Sequence, residues 1–192
     1  MFKTTALATA LALVAGAALA APKAYTFDTG HSQVVFSYKH LGFSETTGMF
    51  SGIEGTIEFD AEDPAASSVK ATFPVTSLMT GDDARDKHFL SGDFFGGEGK
   101  DPAVTFTSTS IEVTGENTAL ITGDLTLNGV TKEVVLDTVL NQQGTHPMEN
   151  KAWLGFDATT TLKRTDFNVG MFAPAVSDEV VVHLSVEARK AD

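Results

Sequence analysis

Apolar and polar residues alternate along one segment after another from residue 24 onward, and this alternation limits the folds open to the chain. In segment 52–59 (GIEGTIEF), Ile53, Ile57 and Phe59 take alternate positions, and glutamate or threonine lies between them. Successive side chains of a β-strand point to opposite faces of a sheet. The segment therefore predicts a strand with one dry and one wet face, and what fills the dry side decides the function.

Similar patterns recur along the chain and predict an all-β domain. The strand-like segments are 24–28, 32–41, 48–60, 68–78, 103–113, 118–127, 132–140, 153–163 and 179–188. Most connections are short, and Asn128-Gly129 is typical of a type I′ hairpin turn. Sequential hairpins predict an eight-stranded antiparallel up-and-down barrel, because closure removes the exposed sheet edges and such a barrel can hold one small ligand.

Three segments lack the alternation. Segment 81–95 has acidic residues before basic ones, as a helix dipole favours, and predicts one short helix across a barrel end. Segment 165–178 contains Phe167, Met171, Phe172 and Pro174 and predicts a long loop. These apolar residues could form an exposed contact surface or a lid over the barrel mouth. Segment 141–152 is interpreted as an exposed turn.

The first 20 residues have the features of a secretory signal peptide. Lys3 supplies the positive charge, residues 7–19 are apolar or small, and Ala18-Leu19-Ala20 forms a small-x-small cleavage pattern. Cleavage after Ala20 would leave a single exported domain at 21–192. The chain has no cysteine, so neither a disulfide nor a lipobox anchor is available, and the domain must be stabilised by its core.

The charge balance excludes some partners. Without the leader, the chain has 12 basic and 25 acidic side chains, which gives a net charge of −13 with neutral histidines. Nucleic acid and anionic lipid surfaces would repel such a chain. A ligand is therefore expected to be held by apolar contact.

The inward-facing positions are nearly all apolar. They could fill the barrel as a solid core or line a cavity. The 13 phenylalanines outside the leader, against two tyrosines and one tryptophan, favour walls that make few hydrogen-bond demands. Gly55, Ala71, Gly123 and Ala158 also face inward, and they could leave a channel open or accommodate large rings.

A few inward positions near strand ends are polar: His40, Ser77, Thr160 and Arg164. A guanidinium stays charged in proteins and needs a partner. Asp86 or Asp166 is the expected partner of Arg164, either as a structural ion pair or beside a ligand contact.

Catalytic and metal-binding alternatives have weaker support. Gly-x-Ser-x-Gly, His-Glu-x-x-His and cysteine nucleophiles are all missing from the sequence. A lipid-modifying enzyme would have to use Asp86 with His88, or His40, as a general base. A metal or haem carrier would use the five histidines, which lack tight ligand spacing: His31, His40, His88, His146 and His183.

An ordered set of short motifs covers residues 24–188. They are Tyr25-Thr-Phe-Asp28, His31-Ser32, Phe36, His40, Gly48-Met-Phe50, Phe59-Asp60, Ser77 with Thr80, Arg85-Asp86 with His88, Phe94-Phe95, Pro102 with Thr105-Phe106, Gly123-Asp-Leu-Thr-Leu, Gly129-Val-Thr-Lys132 and Arg164-Thr-Asp-Phe167. Each motif alone is weak, but together and in this order the set resembles the YceI-like family of periplasmic polyisoprenoid-binding proteins. Asn168 departs from the family, which usually has glycine there, and this affects the expected loop shape rather than the fold.

The resemblance implies a lipocalin-like barrel with a long apolar tunnel for an isoprenoid chain, such as the tail of ubiquinone or another polyprenyl lipid. Such a protein would bind, transport or store lipid without catalysis and without a cofactor or metal. Transient inner-membrane contact and a homodimer stay open. Together with the alternation, the resemblance gives these expected ligand-binding residues: Phe36, Tyr38, His40, Ile53, Ile57, Phe73, Val75, Phe106, Leu125, Leu127, Val134, Leu136, Phe156, Arg164, Phe167 and Phe172.

Overall fold

Antiparallel strands and one short α-helix make up the computed structural model, which describes residues 21–96 and 103–192. The leader predicted over 1–20 lies outside the described residues. The strands are β1 (Lys23–Phe27), β2 (Gln33–His40), β3 (Ser44–Phe50), β4 (Glu54–Phe59), β5 (Ser68–Pro74), β6 (Ala103–Val113), β7 (Thr118–Leu127), β8 (Val130–Thr145), β9 (Ala152–Lys163) and β10 (Glu179–Lys190). The helix α1 is Asp83–Phe89.

The sheet closes on itself in an eight-stranded barrel, as predicted. Strands β4 to β10 pair in sequence order, and β1 pairs with both β4 and β10. The β2–β3 hairpin extends this barrel at one end, because β2 pairs with the first half of β10 and β1 with its second half. Each of these eight described strands is therefore paired on both sides, and the ring has no free edge.

The predicted strand 48–60 is wrong as one continuous element. It is divided into β3 and β4 at 51–53, where Gly52 adopts a φ of +68°. That left-handed backbone does not continue a strand, and glycine adopts it at low cost. Because β3 pairs with β2 and β4 pairs with β1, the break lets the two pairs follow each other along the barrel.

Helix α1 confirms the short helix predicted in segment 81–95. Asp82 caps its N-terminus, accepting a hydrogen bond from the backbone N–H of Arg85 at 2.8 Å. Asp83 lies in its first turn and Lys87 in its last, as the dipole favours. The segment from α1 to Phe95 brings aromatic side chains to the barrel end at which β2 finishes.

Other boundaries differ from those expected. Strand β5 ends at Pro74, which has no N–H to donate, and a 3-10 turn follows at Val75–Ser77. Strand β8 continues to Thr145, so 141–145 belongs to a strand rather than to the expected turn. The Asn128-Gly129 turn is confirmed, since both residues have positive φ (51° and 75°).

The buried core lies inside the barrel. Its largest cluster includes Phe36, Phe50, Ile53, Ile57 and Leu154. A second cluster, formed by Phe94, Val134, Phe167 and Val169, lies at the α1 end. Within 21–96 and 103–192, no helix combines the length and apolarity needed to cross a membrane.

Candidate functional site

Two cavities occupy the barrel interior. The inner cavity has a volume of about 220 Å³ and reaches from the middle of the barrel to the β6–β7 turn. The helix-end cavity has a volume of about 360 Å³ and lies beneath α1. Val34, Leu125, Leu162 and Val182 belong to both walls, so the cavities abut. The interior is therefore not filled as a solid core.

The inner cavity has an almost wholly apolar wall. Ile53, Ile57 and Phe73 line it from one side, and Leu136 and Phe156 from the other. Among the described residues of its wall, Glu116 at the β6–β7 turn is the only one with a charged side chain. A ligand there would find apolar contact and few hydrogen-bond partners.

Aromatic rings dominate the helix-end cavity. Phe36 packs against Phe50 with ring centroids 5.4 Å apart, and Tyr38 packs against Phe89 of α1 at 5.9 Å. Phe89 in turn meets Phe94 edge to face at 5.2 Å. These rings hold α1 against the strand β2, so the helix forms a wall of the cavity.

Basic residues concentrate in the wall of the helix-end cavity: His40, Arg85, His88, Lys163 and Arg164. No aspartate or glutamate is part of that wall among the described residues, although the chain as a whole is strongly acidic. Three nearby carboxylates accept hydrogen bonds from backbone or hydroxyl groups, and Asp93 pairs with His88 of the wall. Asp82 accepts from the Arg85 N–H, Asp86 from Thr80, and Asp178 from Thr165. Basic rather than acidic side chains therefore line the cavity end beneath α1.

Arg164 is held by backbone carbonyl groups, and the expected pairing with Asp86 or Asp166 is wrong. Its Nε donates to the Ser177 oxygen at 2.8 Å, and its two terminal nitrogens donate to the oxygens of Val169, Met171 and Val176 at 2.9–3.1 Å. Burial lowers the pKa of the guanidinium, while the charge of Asp178 opposes that shift. Arg164 therefore fixes the 169–177 loop to the end of β9.

The apolar loop 165–178 is part lid and part exposed surface. Within it, the side chains of Phe167 and Val169 are buried. Phe172 is 54% exposed, yet its ring contacts His88 and Phe94 with centroids 6.1 and 6.5 Å away. Asn168 has a φ of +57°, which asparagine tolerates well, so its presence in place of glycine is compatible with the loop.

Most of the expected ligand-binding residues surround the cavities. The inner cavity is lined by Ile53, Ile57, Phe73, Phe106, Leu125, Val134, Leu136 and Phe156. The helix-end cavity is lined by Phe36, Tyr38, His40, Leu125, Leu127, Arg164, Phe167 and Phe172. Val75 lies in neither wall: it is buried in the 3-10 turn after β5 and packs in the core. Whether the lining residues touch a ligand stays a prediction.

Several wall residues were missed by the sequence reasoning. Ile111 and Val113 line the inner cavity because a bulge at Ser108/Ser110 reverses which β6 residues face inward. Alternation counted from Phe106 cannot reveal that shift. Phe89, Phe94 and Phe95 line the helix-end cavity from a segment without strand alternation, although the Phe94-Phe95 motif could have indicated them.

The residues named for the catalytic and metal-binding alternatives do not form one site. Asp86 accepts hydrogen bonds from Thr80, whereas the His88 Nε2 lies 3.1 Å from Asp93. Asp86 and His88 thus have different partners. Of the five histidines, His31 has two carboxylates nearby, Asp28 and Glu187.

The His31 cluster lies on the surface. The His31 Nδ1 is 2.7 Å from the Asp28 carboxylate, which also accepts the Gly30 N–H at 2.9 Å. The hydrogen bond raises the pKa of His31 and lowers that of Asp28. These bonds close the turn between β1 and β2, so the cluster already has a structural role.

A closed antiparallel barrel with an apolar interior cavity places the protein in the class of barrels that can enclose a small ligand. The model of the YceI-like domain matches residues 25–188. A UPF0312 protein of Ectopseudomonas mendocina is 43% identical over 176 residues, which are 92% of this chain and 91% of the relative. The chain belongs to the YceI-like family.

Solved structures share the architecture. Burkholderia cenocepacia BcnA is 27% identical, with a TM-score of 0.75 over 84% of this chain and 98% of its own. A polyisoprenoid binding domain from Saccharophagus degradans, implicated in plant cell wall breakdown, is 14% identical, with a TM-score of 0.66 over 88% of this chain and 99% of its own. The latter similarity establishes the fold alone.

Proposed function

We propose that this protein binds a polyisoprenoid lipid, an isoprenoid quinone or another polyprenyl chain, and transports or stores it in the periplasm. The two abutting apolar cavities inside a closed barrel carry the proposal. Their walls suit a long, narrow hydrocarbon that makes no hydrogen bonds. The description of the Saccharophagus degradans domain as polyisoprenoid-binding agrees with this assignment.

Burial of hydrocarbon supplies the affinity. Each buried CH₂ contributes about 0.8 kcal/mol, so several isoprene units yield useful binding before any polar contact. Ordering the flexible chain opposes this gain. Side chains that the barrel already holds in place, such as Phe36, Phe106 and Phe156, keep the entropic cost of ordering the protein low.

The polar residues favour one orientation of the lipid. Arg85, His88 and His40 belong to the wall beneath α1, whereas the inner cavity is apolar up to Glu116. A head group with hydrogen-bond acceptors would therefore lie beneath α1, with the tail in the inner cavity. A polar head in the inner cavity would lose its hydrogen bonds to water without replacement.

Native mass spectrometry of protein purified from the periplasmic fraction tests the proposal, with organic extraction to identify what is released. We expect one isoprenoid lipid per chain. A matched pair of variants locates it: Leu136→Trp fills the inner cavity, and Val135→Trp adds the same ring to the outer face of β8.

Loss of bound lipid in Leu136→Trp and its retention in Val135→Trp would support binding inside the barrel. Protein that is empty as purified and takes up no added isoprenoid quinone or polyprenol would contradict the proposal. Absence of the protein from the periplasmic fraction would contradict the location alone.

A further inference from the structure

Large apolar side chains are exposed around the end of the barrel that α1 covers. Phe43, at the tip of the β2–β3 hairpin, is 90% exposed, and Leu41 beside it is about half exposed. In the neighbouring loop Phe172 and Met171 are also exposed. We call Leu41, Phe43, Met171 and Phe172 the apolar rim.

Backbone hydrogen bonds join the two parts of the apolar rim. The Leu41 N–H donates to the Ala175 oxygen at 3.1 Å, and His40 forms an antiparallel bridge with Val176. The Ser177 N–H donates to the Lys39 oxygen at 2.9 Å. The hairpin tip and the loop are therefore neighbours in one surface rather than separate projections.

The apolar rim borders the helix-end cavity. His40 and Val176, whose bridge joins the rim, line that cavity, as does Phe172 itself. The Phe172 ring reaches over to His88 of α1, with centroids 6.1 Å apart. A lipid that leaves the cavity between α1 and the loop would pass these side chains.

The backbone conformation sets the rim residues apart. Among the described residues, five other than glycine have positive φ, and three of them are asparagines. The remaining two are Leu41 (φ 52°) and Phe172 (φ 64°), both members of the apolar rim. Left-handed conformations are unfavourable for such side chains, and exposure to water adds a second unfavourable contribution. A strained backbone and an exposed apolar side chain are both expected where a surface is selected for contact rather than for stability.

The charge beside the rim indicates the kind of partner. The wall beneath α1 holds Arg85 and Lys163 and no described carboxylate, while Asp93 pairs with His88 beside it. Basic groups at this opening can therefore meet the phosphates of a zwitterionic lipid. Exposed aromatic side chains surrounded by polar groups are typical of insertion at a membrane interface.

We propose that the apolar rim docks on a lipid bilayer, with Phe43 and Phe172 inserted among the head groups and the helix-end cavity facing the membrane. The proposal rests on the proposed lipid-binding function, because a bilayer is where such a cargo is taken up and delivered. The net charge of −13 favours a zwitterionic surface over an anionic one.

Flotation with vesicles of phosphatidylethanolamine and phosphatidylcholine tests the docking. The variant Leu41→Ser combined with Phe43→Ser removes two exposed rim side chains that line neither cavity, each worth roughly tenfold in partitioning. Met148→Ser is the matched control, because Met148 is 88% exposed in the β8–β9 turn at the opposite end of the barrel. We expect the rim variant to lose at least tenfold in vesicle binding and the control to match the wild type.

Some outcomes would overturn the docking proposal. Wild-type protein that stays unbound, a rim variant that floats as well as the wild type, or a control that loses as much as the rim variant would each contradict it. Extraction of bound lipid from the same preparations separates this proposal from the proposed function. Normal cargo with lost flotation in the rim variant would support docking, whereas wild-type protein that floats but takes up no isoprenoid would contradict the lipid-binding function alone.

Discussion

The Phe106 ring covers Gly123 on the neighbouring strand so closely that a Cβ at Gly123 would lie 2.4 Å from the ring's Cζ. The same Cβ would lie 2.6 Å from the backbone oxygen of Thr107. Gly55 has a similar relationship with Phe27, whose Cε2 would be 2.7 Å away. These inward glycines thus accommodate large rings, and the cavities lie beside the rings.

The first prediction concerns that contact. Gly123→Ala should lower the free energy of unfolding by about 1–3 kcal/mol, because both the ring and a backbone oxygen must move. Alanine in a strand normally raises the free energy of unfolding by about 0.5–1 kcal/mol relative to glycine. A decrease at position 123 would therefore indicate the close contact. Urea unfolding measures the change.

Gly144→Ala is the matched control, since its Cβ would meet only the Gln142 Nε2 at 3.7 Å. It should be neutral or stabilising. Phe106→Leu should recover part of the loss in the Gly123→Ala background. If the two substitutions are additive, the ring contact does not cause the destabilisation.

The second prediction concerns Arg164. Arg164→Lys should lower the free energy of unfolding by about 2–4 kcal/mol, because an ammonium cannot reach the carbonyl oxygens of Val169, Met171, Val176 and Ser177 together. Amide exchange in residues 169–177 should accelerate. The exposed neighbour Lys163→Gln should stay within about 0.5 kcal/mol of the wild type. An unchanged exchange pattern in Arg164→Lys would show that the guanidinium does not hold the loop.

The third prediction concerns Asn168, whose φ is +57°. Asn168→Gly should keep or slightly raise stability, because glycine adopts this backbone freely. Asn168→Val should lower the free energy of unfolding by roughly 1–2 kcal/mol, since a β-branched side chain clashes in the left-handed region. Thermal unfolding of the pair measures the difference, and equal stabilities would contradict the loop conformation.

The fourth prediction concerns pH. The hydrogen bond between His31 and Asp28 raises the pKa of the histidine and lowers that of the carboxyl. A raised histidine pKa stabilises the fold fully below about pH 6.5, and the gain disappears as pH rises through the folded-state value. A lowered carboxyl pKa stabilises it above about pH 4, and that gain disappears as pH falls through the folded-state value.

Stability relative to His31→Gln should therefore be greatest between about pH 4 and 6.5 and decrease toward pH 8.5. Denaturant unfolding at pH 5.5 and 8.5 measures the change. His183→Gln, an exposed position on β10, serves as the control. If the wild type and His31→Gln show the same pH dependence, the pair contributes nothing to it.

The sequence alone determined the barrel, because the period-two pattern and the hairpin turns are local properties. Ile53, Ile57 and Phe59 face inward as alternation requires, and the acidic start of segment 81–95 indicated helix α1. The same patterns placed most cavity-lining residues on the correct face. The ordered motifs also identified the family that the comparisons confirm.

Only the tertiary structure decided how the barrel interior and its open end are built. The bulge in β6 turned Ile111 inward, since strand pairing rather than alternation fixes which residues follow a bulge. Arg164 donates hydrogen bonds to backbone carbonyl groups rather than to a carboxylate, because the fold of the loop brings four backbone oxygens around it. Whether the inward side chains fill the barrel depends on the distance between strands on opposite sides of it. The order of residues along a single strand carries no information about that distance.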